Sequence, residues 1–328
     1  MKAAIFGYGK MGQIRANALK ADGRVSVAAI FEPRLSESPI EGARLVENEE
    51  EILQDGEIDI VFVCTPNFRI VPLVKGALEV GKHVFSEKPP AFNAQEMREV
   101  IEVEEANAGK LMYGFNHRHH ESIREAKRIV DSEEYGKILW MRGRYGKNVN
   151  EEFFEGWRAQ KKLAGGGIFL DQGIHMLDLF MFLGGGFDEV KAMVSNDFWK
   201  REIEDNVFAM FRSSETGITA SLHSTMTQWR HLFSLEVFLE KGHIILNGLK
   251  TSSGMYGDEE LTVASNNPGG NHTGEESKRF TVDTSWQSEV AHFIDAIEED
   301  SEIRFGTSGD ALELMKLVDE VYRSDNFG

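Results

Sequence analysis

At 328 residues, the chain is long enough for two domains. Its 54 acidic against 36 basic side chains give a formal charge of −18, a field that repels nucleic acid and anionic membrane surfaces. Apolar residues make up 41% and charged residues 27%, a globular balance that excludes a disordered or fibrous chain.

The single cysteine, Cys64, rules out an internal disulfide and fits a reducing compartment. The chain enters an apolar strand at once, with no signal-peptide pattern and no stretch apolar enough to span a bilayer. A cytoplasmic protein is expected.

Through about residue 115, strand and helix patterns alternate. Ala3 to Phe6 is a short apolar strand, Met11 to Lys20 a helix, and Val25 to Phe31 a second strand. The β-branched run from Asp59 to Cys64 is nearly continuous in apolar character, as in a strand covered on both faces. Ile70 to Val80 reads as a helix with Gly81 at its C-cap, and His83 to Ser86 as the next strand. Asn93 caps an amphipathic helix through Ala108, closed by Gly109, and Leu111 to Tyr113 is another strand. This alternation predicts an α/β fold with a doubly wound parallel sheet.

The pattern then changes. Ser122 to Val130 is helical. Strand candidates follow at Ile138–Tyr145, Glu189–Phe198, Val207–Arg212, Ile218–Thr225, Leu232–Leu239 and Ile244–Leu246. With few helices between them, they predict an α+β domain built on a mainly antiparallel sheet. Thr251 to Lys278, rich in Gly, Ser, Asn and acidic residues, reads as irregular. Helices near Ser288–Glu298 and Ser308–Tyr322 close the chain. The expected division is a nucleotide-binding domain over 1–118 and a substrate-binding and oligomerisation domain over 119–328.

Gly7-Tyr8-Gly9-Lys10-Met11-Gly12 fits G-x-G-x-x-G between a strand and a helix N-terminus, the context that gives the motif meaning. The first glycine permits the tight turn and the second lets the backbone approach a pyrophosphate resting on the helix end. Glu32 ends the second strand, 20 residues after Gly12. A carboxylate there accepts ribose hydroxyls and repels a 2′-phosphate, which favours NAD over NADP, although Arg34 stands close by. Thr65-Pro66-Asn67 forms the rim after the Cys64 strand.

Two further segments carry chemistry. Lys88, in Glu87-Lys88-Pro89-Pro90, directly follows a strand, and the prolines prevent that strand from continuing. Carboxyl ends of parallel strands are where ligands bind. In Gly165-Gly166-Gly167…Asp171…His175…Asp178, the spacing places Asp171 and His175 on one helical face, continued by Asp178. A carboxylate one turn before a histidine orients the ring and stabilises imidazolium. His117-Arg118-His119-His120 invites a metal reading, with His117 and His119 on one strand face, but no matching ligand set accompanies it and Arg118 opposes a cation, so no metal is expected. Arg118, Arg158, Lys161 and Lys162 offer positive charge in an acidic protein, consistent with an anionic ligand.

Taken together, the glycine turn, Thr65-Pro66-Asn67, Glu87-Lys88-Pro89, Gly114-Phe115-Asn116 with Arg118, Trp157-Arg158 and the Gly-Gly-Gly…Asp171…His175 run resemble the Gfo/Idh/MocA oxidoreductase family over nearly the whole chain. The resemblance implies an N-terminal Rossmann domain and a C-terminal domain whose open sheet forms a homodimer or homotetramer interface. It implies catalysis by Lys88, Asp171 and His175, cofactor contacts from the glycine turn, Glu32, Thr65-Pro66-Asn67 and Glu87-Lys88, and substrate contacts from Arg118, Trp157 and Arg158. Sugars, cyclitols and nucleotide sugars are the substrates it implies. Ile70 stands where the family often has histidine after T-P-N, and Pro90 and His119 replace commoner residues; these departures bear on substrate detail.

The expected reaction is NAD(P)-dependent hydride transfer at a hydroxyl-bearing carbon, with His175 as base and Lys88 facing the developing alkoxide. The alternatives are an enzyme that retains NAD through net epimerisation, elimination or sugar–sugar oxidoreduction, and a non-catalytic NAD(H) sensor.

Overall fold

The structure, a computed structural model, describes residues 1–251, 254–266 and 274–325. The chain divides into two units. Met1–Asn116 joins with Trp286–Met315, and His117–Ser285 joins with the chain from Lys316 onward. Residues 286–315, expected within a second domain of 119–328, belong instead to the first unit. The reason is apolar burial: Val290, Phe293 and Ile294 complete a core with Ala3, Ile5, Leu19, Ile60 and Phe62.

In the first unit, six strands form a wholly parallel sheet: β1 (Lys2–Phe6), β2 (Ser26–Phe31), β3 (Arg44–Leu45), β4 (Ile60–Val63), β5 (His83–Glu87) and β6 (Leu111–Gly114). Their order is β3-β2-β1-β4-β5-β6. The direction of winding reverses between β1 and β4, where Phe6 pairs in register with Val63. That point, outside the strands' carboxyl ends, is where ligands of such sheets bind. Every residue of β4 is buried, as its unbroken apolar run predicts.

The helices of this unit are α1 (Lys10–Asp22), α2 (Glu50–Leu53), α3 (Ile70–Glu79), α4 (Ala94–Glu105) and, after the second unit, α8 (Ser285–Glu298). Asn93 caps α4 by accepting from Glu96 N at 2.9 Å, while the Glu96 carboxylate reaches back to Phe92 N. The short β3 and α2 were not expected; two to four residues give too few repeats for a periodic signal.

In the second unit, eight strands form a sheet: β7 (Ile138–Asn148), β8 (Glu189–Ser195), β9 (Asn206–Arg212), β10 (Thr219–Thr225), β11 (Thr227–Leu239), β12 (Gly242–Asn247), β13 (Glu259–Ser265) and β14 (Glu276–Phe280). Their order is β14-β13-β12-β11-β7-β10-β9-β8. All pairs are antiparallel except β10 with β7. The helices are α5 (Glu121–Asp131), α6 (Lys161–Ala164) and α7 (Ile174–Gly184), with α9 (Ser308–Ser324) bridging the end of the chain.

Two expectations are corrected here. The stretch 251–278 is not irregular throughout, since β13 and the start of β14 lie within it; residues 252–253 and 267–273 lie outside the described residues. The acidic start of β13 hid it, because Glu259 is buried against His120 and Ser122, where its charge is satisfied. His117 and His119 share no strand face; they lie in a 3-10 turn, Asn116–His119.

The sheet's two faces differ. On one, α7 packs so tightly that a Cβ on Gly143 would lie 2.4 Å from Met176. Apolar nearly all round, α7 buries Ile174, Met176, Leu177, Leu179 and Phe180. The alternate residues of β7, β8 and β9 are exposed, including Trp140, Met193, Phe208 and Met210. Rings stack across that exposed face, Phe208 on His223 and Trp140 on Phe238, at centroid distances of 3.9 and 4.1 Å.

Candidate active site

The first unit's site is built on β1, the glycine turn and α1. Gly7 has φ +86°, and a Cβ there would lie 2.7 Å from the Cys64 carbonyl oxygen. A Cβ on Gly12 would sit 2.2 Å from the Gly7 carbonyl oxygen, so neither position accepts a side chain. Gly9 is different: its nearest neighbour would be an Arg34 guanidinium nitrogen at 3.7 Å, which leaves the turn's outer side open for a ligand.

Glu32 ends β2 with its carboxylate facing this turn. It accepts from Tyr8 N at 2.9 Å and from Arg34 Nε at 2.8 Å. The Arg34 guanidinium, with help from Tyr8 N, holds the Glu32 carboxyl below the usual carboxylate range despite burial. Across β4, Thr65 buries a hydroxyl with no hydrogen-bond partner among the described residues. An open glycine turn at a helix N-terminus, a carboxylate at the next strand end and an unsatisfied hydroxyl at the switch point are the features a nicotinamide dinucleotide needs. Tyr8, Lys10, Met11, Pro66 and Asn67 lie along the same rim, Lys10 exposed and the others half-buried.

Lys88 is half-buried directly after β5, and its peptide bond to Pro89 is cis. Beside it, Glu87 is buried and accepts from Arg15 Nε at 2.7 Å. Arg15, fully buried on α1, also lies 2.6 Å from Glu289 of α8, a charge contact rather than an aligned hydrogen bond. Its guanidinium is sandwiched by rings, 4.3 Å from the Phe85 centroid and 4.9 Å from that of Trp286. The Glu87 side chain is thus engaged by Arg15, although the resemblance assigns it to the cofactor. Burial pushes the Glu289 carboxyl up to about 7, with Arg15 opposing that rise and Glu87 adding to it.

In the second unit, Asp171 lies in a π-helical turn, Phe169–Gly173, immediately before α7. Such turns recur at functional sites because the extra residue redirects side chains. His175 and Asp178 keep the expected i, i+3 spacing on α7, while Asp171 lies in the π-turn before it. Asp171 accepts from Lys147 Nζ at 2.6 Å. His175, buried on α7, stacks on His117 at 3.9 Å. His117 Nε2 is 3.0 Å from the Tyr145 hydroxyl, whose deprotonation burial opposes. Asp178 is buried and holds Arg118 through Nε at 2.9 Å and a second nitrogen, so Arg118 serves this ion pair.

A cavity of about 540 Å³ opens beside this group, lined by Lys147, Phe153, Trp157, Arg158 and His231 among others. Its size lies within the roughly 300–1,000 Å³ of small-molecule sites. Trp157 and Arg158, expected from the sequence, are cavity walls, with the guanidinium 4.4 Å above the indole. Lys161 and Lys162 lie on α6 and do not line it.

Behind the π-turn stands Glu204, 1% exposed. Its carboxylate accepts from Gly167 N at 2.7 Å, Phe169 N at 3.0 Å and the Tyr322 hydroxyl at 2.9 Å. A Cβ on Gly166 would strike that hydroxyl at 2.2 Å, and one on Gly167 the Glu204 carbonyl oxygen at 2.1 Å. The glycine run exists for this close approach, and Glu204 caps the helix start that carries Asp171 and His175.

Sequence reasoning missed Lys147, Tyr145, Glu204 and Arg15. Only Arg15 left a trace, a charged residue on the otherwise buried face of α1. The others stand far along the chain from their partners.

A profile described as the oxidoreductase family, NAD-binding Rossmann fold, matches residues 1–115, and one described as the GFO/IDH/MocA C-terminal domain matches residues 123–245. Levoglucosan dehydrogenase of Pseudarthrobacter phenanthrenivorans is 30% identical over 47% of this chain and 40% of its own length. D-glucoside 3-dehydrogenase of Escherichia coli is 29% identical over 61% of this chain and 58% of its own length. The chain therefore matches about half the length of these relatives. Myo-inositol 2-dehydrogenase of Thermotoga maritima is 24% identical over 79% of each chain.

Among solved structures, a levoglucosan dehydrogenase in complex with NADH and levoglucosan has a TM-score of 0.86 at 21% identity, covering 99% of this chain and 97% of that one. A 3-ketoreductase from Actinomadura kijaniata in complex with NADP and TDP-benzene has a TM-score of 0.85 at 22% identity, with the same coverage. These likenesses show the fold. Two profiles of one family, in order and together covering most of the chain, show that it belongs to the Gfo/Idh/MocA oxidoreductase family.

Proposed function

We propose that this protein is an NAD(P)-dependent dehydrogenase acting on a hydroxyl-bearing carbon of a sugar, cyclitol or nucleotide sugar. The observation that supports it most is the turn from Gly7 to Gly12, closed to side chains at both ends and open at Gly9. Relatives named for levoglucosan, D-glucoside and myo-inositol oxidation favour the substrate class.

The nicotinamide ring, when bound, supplies the hydride acceptor. The chain's own residues do the rest. The Gly7–Gly12 backbone and the N-terminus of α1 would hold the pyrophosphate, and Thr65, Pro66 and Asn67 would contact the nicotinamide half. The His175 imidazole takes the proton from the substrate hydroxyl. Lys88, as ammonium, stabilises the alkoxide that forms as the proton leaves. Asp171, charge-paired with Lys147 at 2.6 Å, fixes the charge balance one turn before His175.

NAD is favoured over NADP because a carboxylate at the end of β2, Glu32, would accept ribose hydroxyls and repel a 2′-phosphate, and because Arg34 is engaged by that carboxylate. The exposed aromatic face of β7 to β10 supports a homodimer or homotetramer joined through this sheet. Light scattering tests it: a mass above the 36.9 kDa of one chain, falling to that value on Met210→Lys, is expected.

The main test follows NADH formation against inositols, free hexoses, glycosides and UDP-sugars. Lys88→Ala should reduce turnover of the best substrate by about 10²–10³-fold, the usual cost of losing one group that stabilises transition-state charge. NADH binding, read by fluorescence, should persist. Turnover within a few-fold of the parent in that variant would remove Lys88 from the chemistry.

A further inference from the structure

A strip of aromatic rings runs away from the Asp171–Lys147 pair. Lys147 Nζ lies 4.6 Å above the Phe153 ring, which lines the cavity. Phe153 meets Phe154 at 5.3 Å, Phe154 meets Trp199 at 4.9 Å, and Trp199 meets Phe198 at 5.1 Å. Phe198 then meets Trp229 at 5.1 Å, and these last two are each 57% exposed.

Trp229 has φ +55°, a conformation that strains a bulky residue and that persists at ligand clamps when its surroundings enforce it. Burial does not explain it, since the ring is more than half exposed. Charged groups border the strip: Lys147 at the cavity end and Arg201, 4.9 Å above Phe154 and paired with Glu151 at 2.8 Å.

We propose that this strip is a second sugar subsite, so that the physiological substrate is a glycoside whose oxidised ring occupies the cavity and whose neighbouring ring lies on Phe198 and Trp229. The inference rests on the dehydrogenase reading above and narrows its substrate class. A pyranose presents a C–H face that packs on aromatic rings and an edge of hydroxyls that pairs with charged groups. The strip offers both. No two successive rings are parallel, the angles being 89°, 45°, 87° and 74°, so there is no slot to clasp a flat nucleobase. Continuity with the cavity through Phe153 separates this patch from the exposed face of β7 to β9.

The test replaces Trp229 with glycine, which removes the ring and relieves the left-handed strain, so the thermal midpoint should hold or rise. Cellobiose, maltose, UDP-glucose and glucose are compared as substrates, and saturation-transfer NMR with NADH present reads binding independently of turnover. In Trp229→Gly and Phe198→Ala, the ratio of disaccharide to glucose kcat/KM should fall at least tenfold, and saturation transfer to the second ring should vanish. Trp229→Phe should restore both.

An unchanged ratio would overturn the subsite, as would a loss confined to UDP-glucose, which would mark a base site. A drop in molecular mass in Trp229→Gly would mark an interface between copies instead, and would also overturn it. If the parent oxidises no sugar, the dehydrogenase reading fails while disaccharide binding by NMR still decides the subsite.

Discussion

The two sheets solve the same problem in opposite ways. The parallel sheet hides both faces, and the residues proposed for function lie at its strand ends, close in sequence to the strands that place them: the turn at Gly7, Glu32 at the end of β2, Lys88 after β5. The eight-stranded sheet hides one face and leaves the other open. The residues proposed for function there are side chains that meet across longer sequence distances, such as Lys147 with Asp171 and His117 with His175.

The largest effect after Lys88 is expected in the second unit. Lys147→Met leaves Asp171 without the cation 2.6 Å away and should lower kcat/KM about tenfold or more, with NADH affinity unchanged. Steady-state kinetics on the best sugar decides it, and activity within twofold of the parent would make the pair structural. In the first unit, Glu32→Ala should shift the ratio of NAD to NADP efficiency toward NADP by about tenfold, since it removes a negative charge and frees Arg34. Parallel titrations with both cofactors measure it, and an unmoved ratio would end the assignment of Glu32 to the ribose.

The smallest effect concerns pH. Burial raises the Glu289 carboxyl from about 4.5 in the unfolded chain to about 7. The native state therefore binds the extra proton in that window, and its stabilising effect is full below pH 4.5 and lost as pH rises through 7. Glu289→Gln keeps the neutral form at every pH. Its thermal midpoint, compared with the parent between pH 5 and 8, should show a flatter slope; equal slopes would place the titration elsewhere.

These contrasts explain what could be read in advance. The Rossmann order was legible because each of its strands is a short apolar run and its turn chemistry is local. The Gly7–Gly12 turn and the place of Lys88 directly after a strand were legible for the same reason. The strand β13 was not, because Glu259 at its start looks like a surface residue until His120 and Ser122, more than 130 positions earlier, are seen to bury it. Helical spacing gave the place of Asp178 on α7 but not its partner Arg118, which lies 60 residues away. Glu204 carried no signal, since only the folded chain brings Gly167 and Tyr322 to it.

The return of residues 286–315 to the first unit has a consequence for the order of assembly. On the ribosome, the first 116 residues emerge long before Phe293, which packs against both Phe62 and Phe85, and before Glu289, which faces Arg15. All of 117–285 must be synthesised in between. The nucleotide-binding half therefore cannot finish its core as a separate early event, and the usual sequence of one domain closing before the next is made does not apply to it. A nascent chain arrested at Ser285 would hold Arg15 with a single carboxylate and an aromatic stack missing its edge.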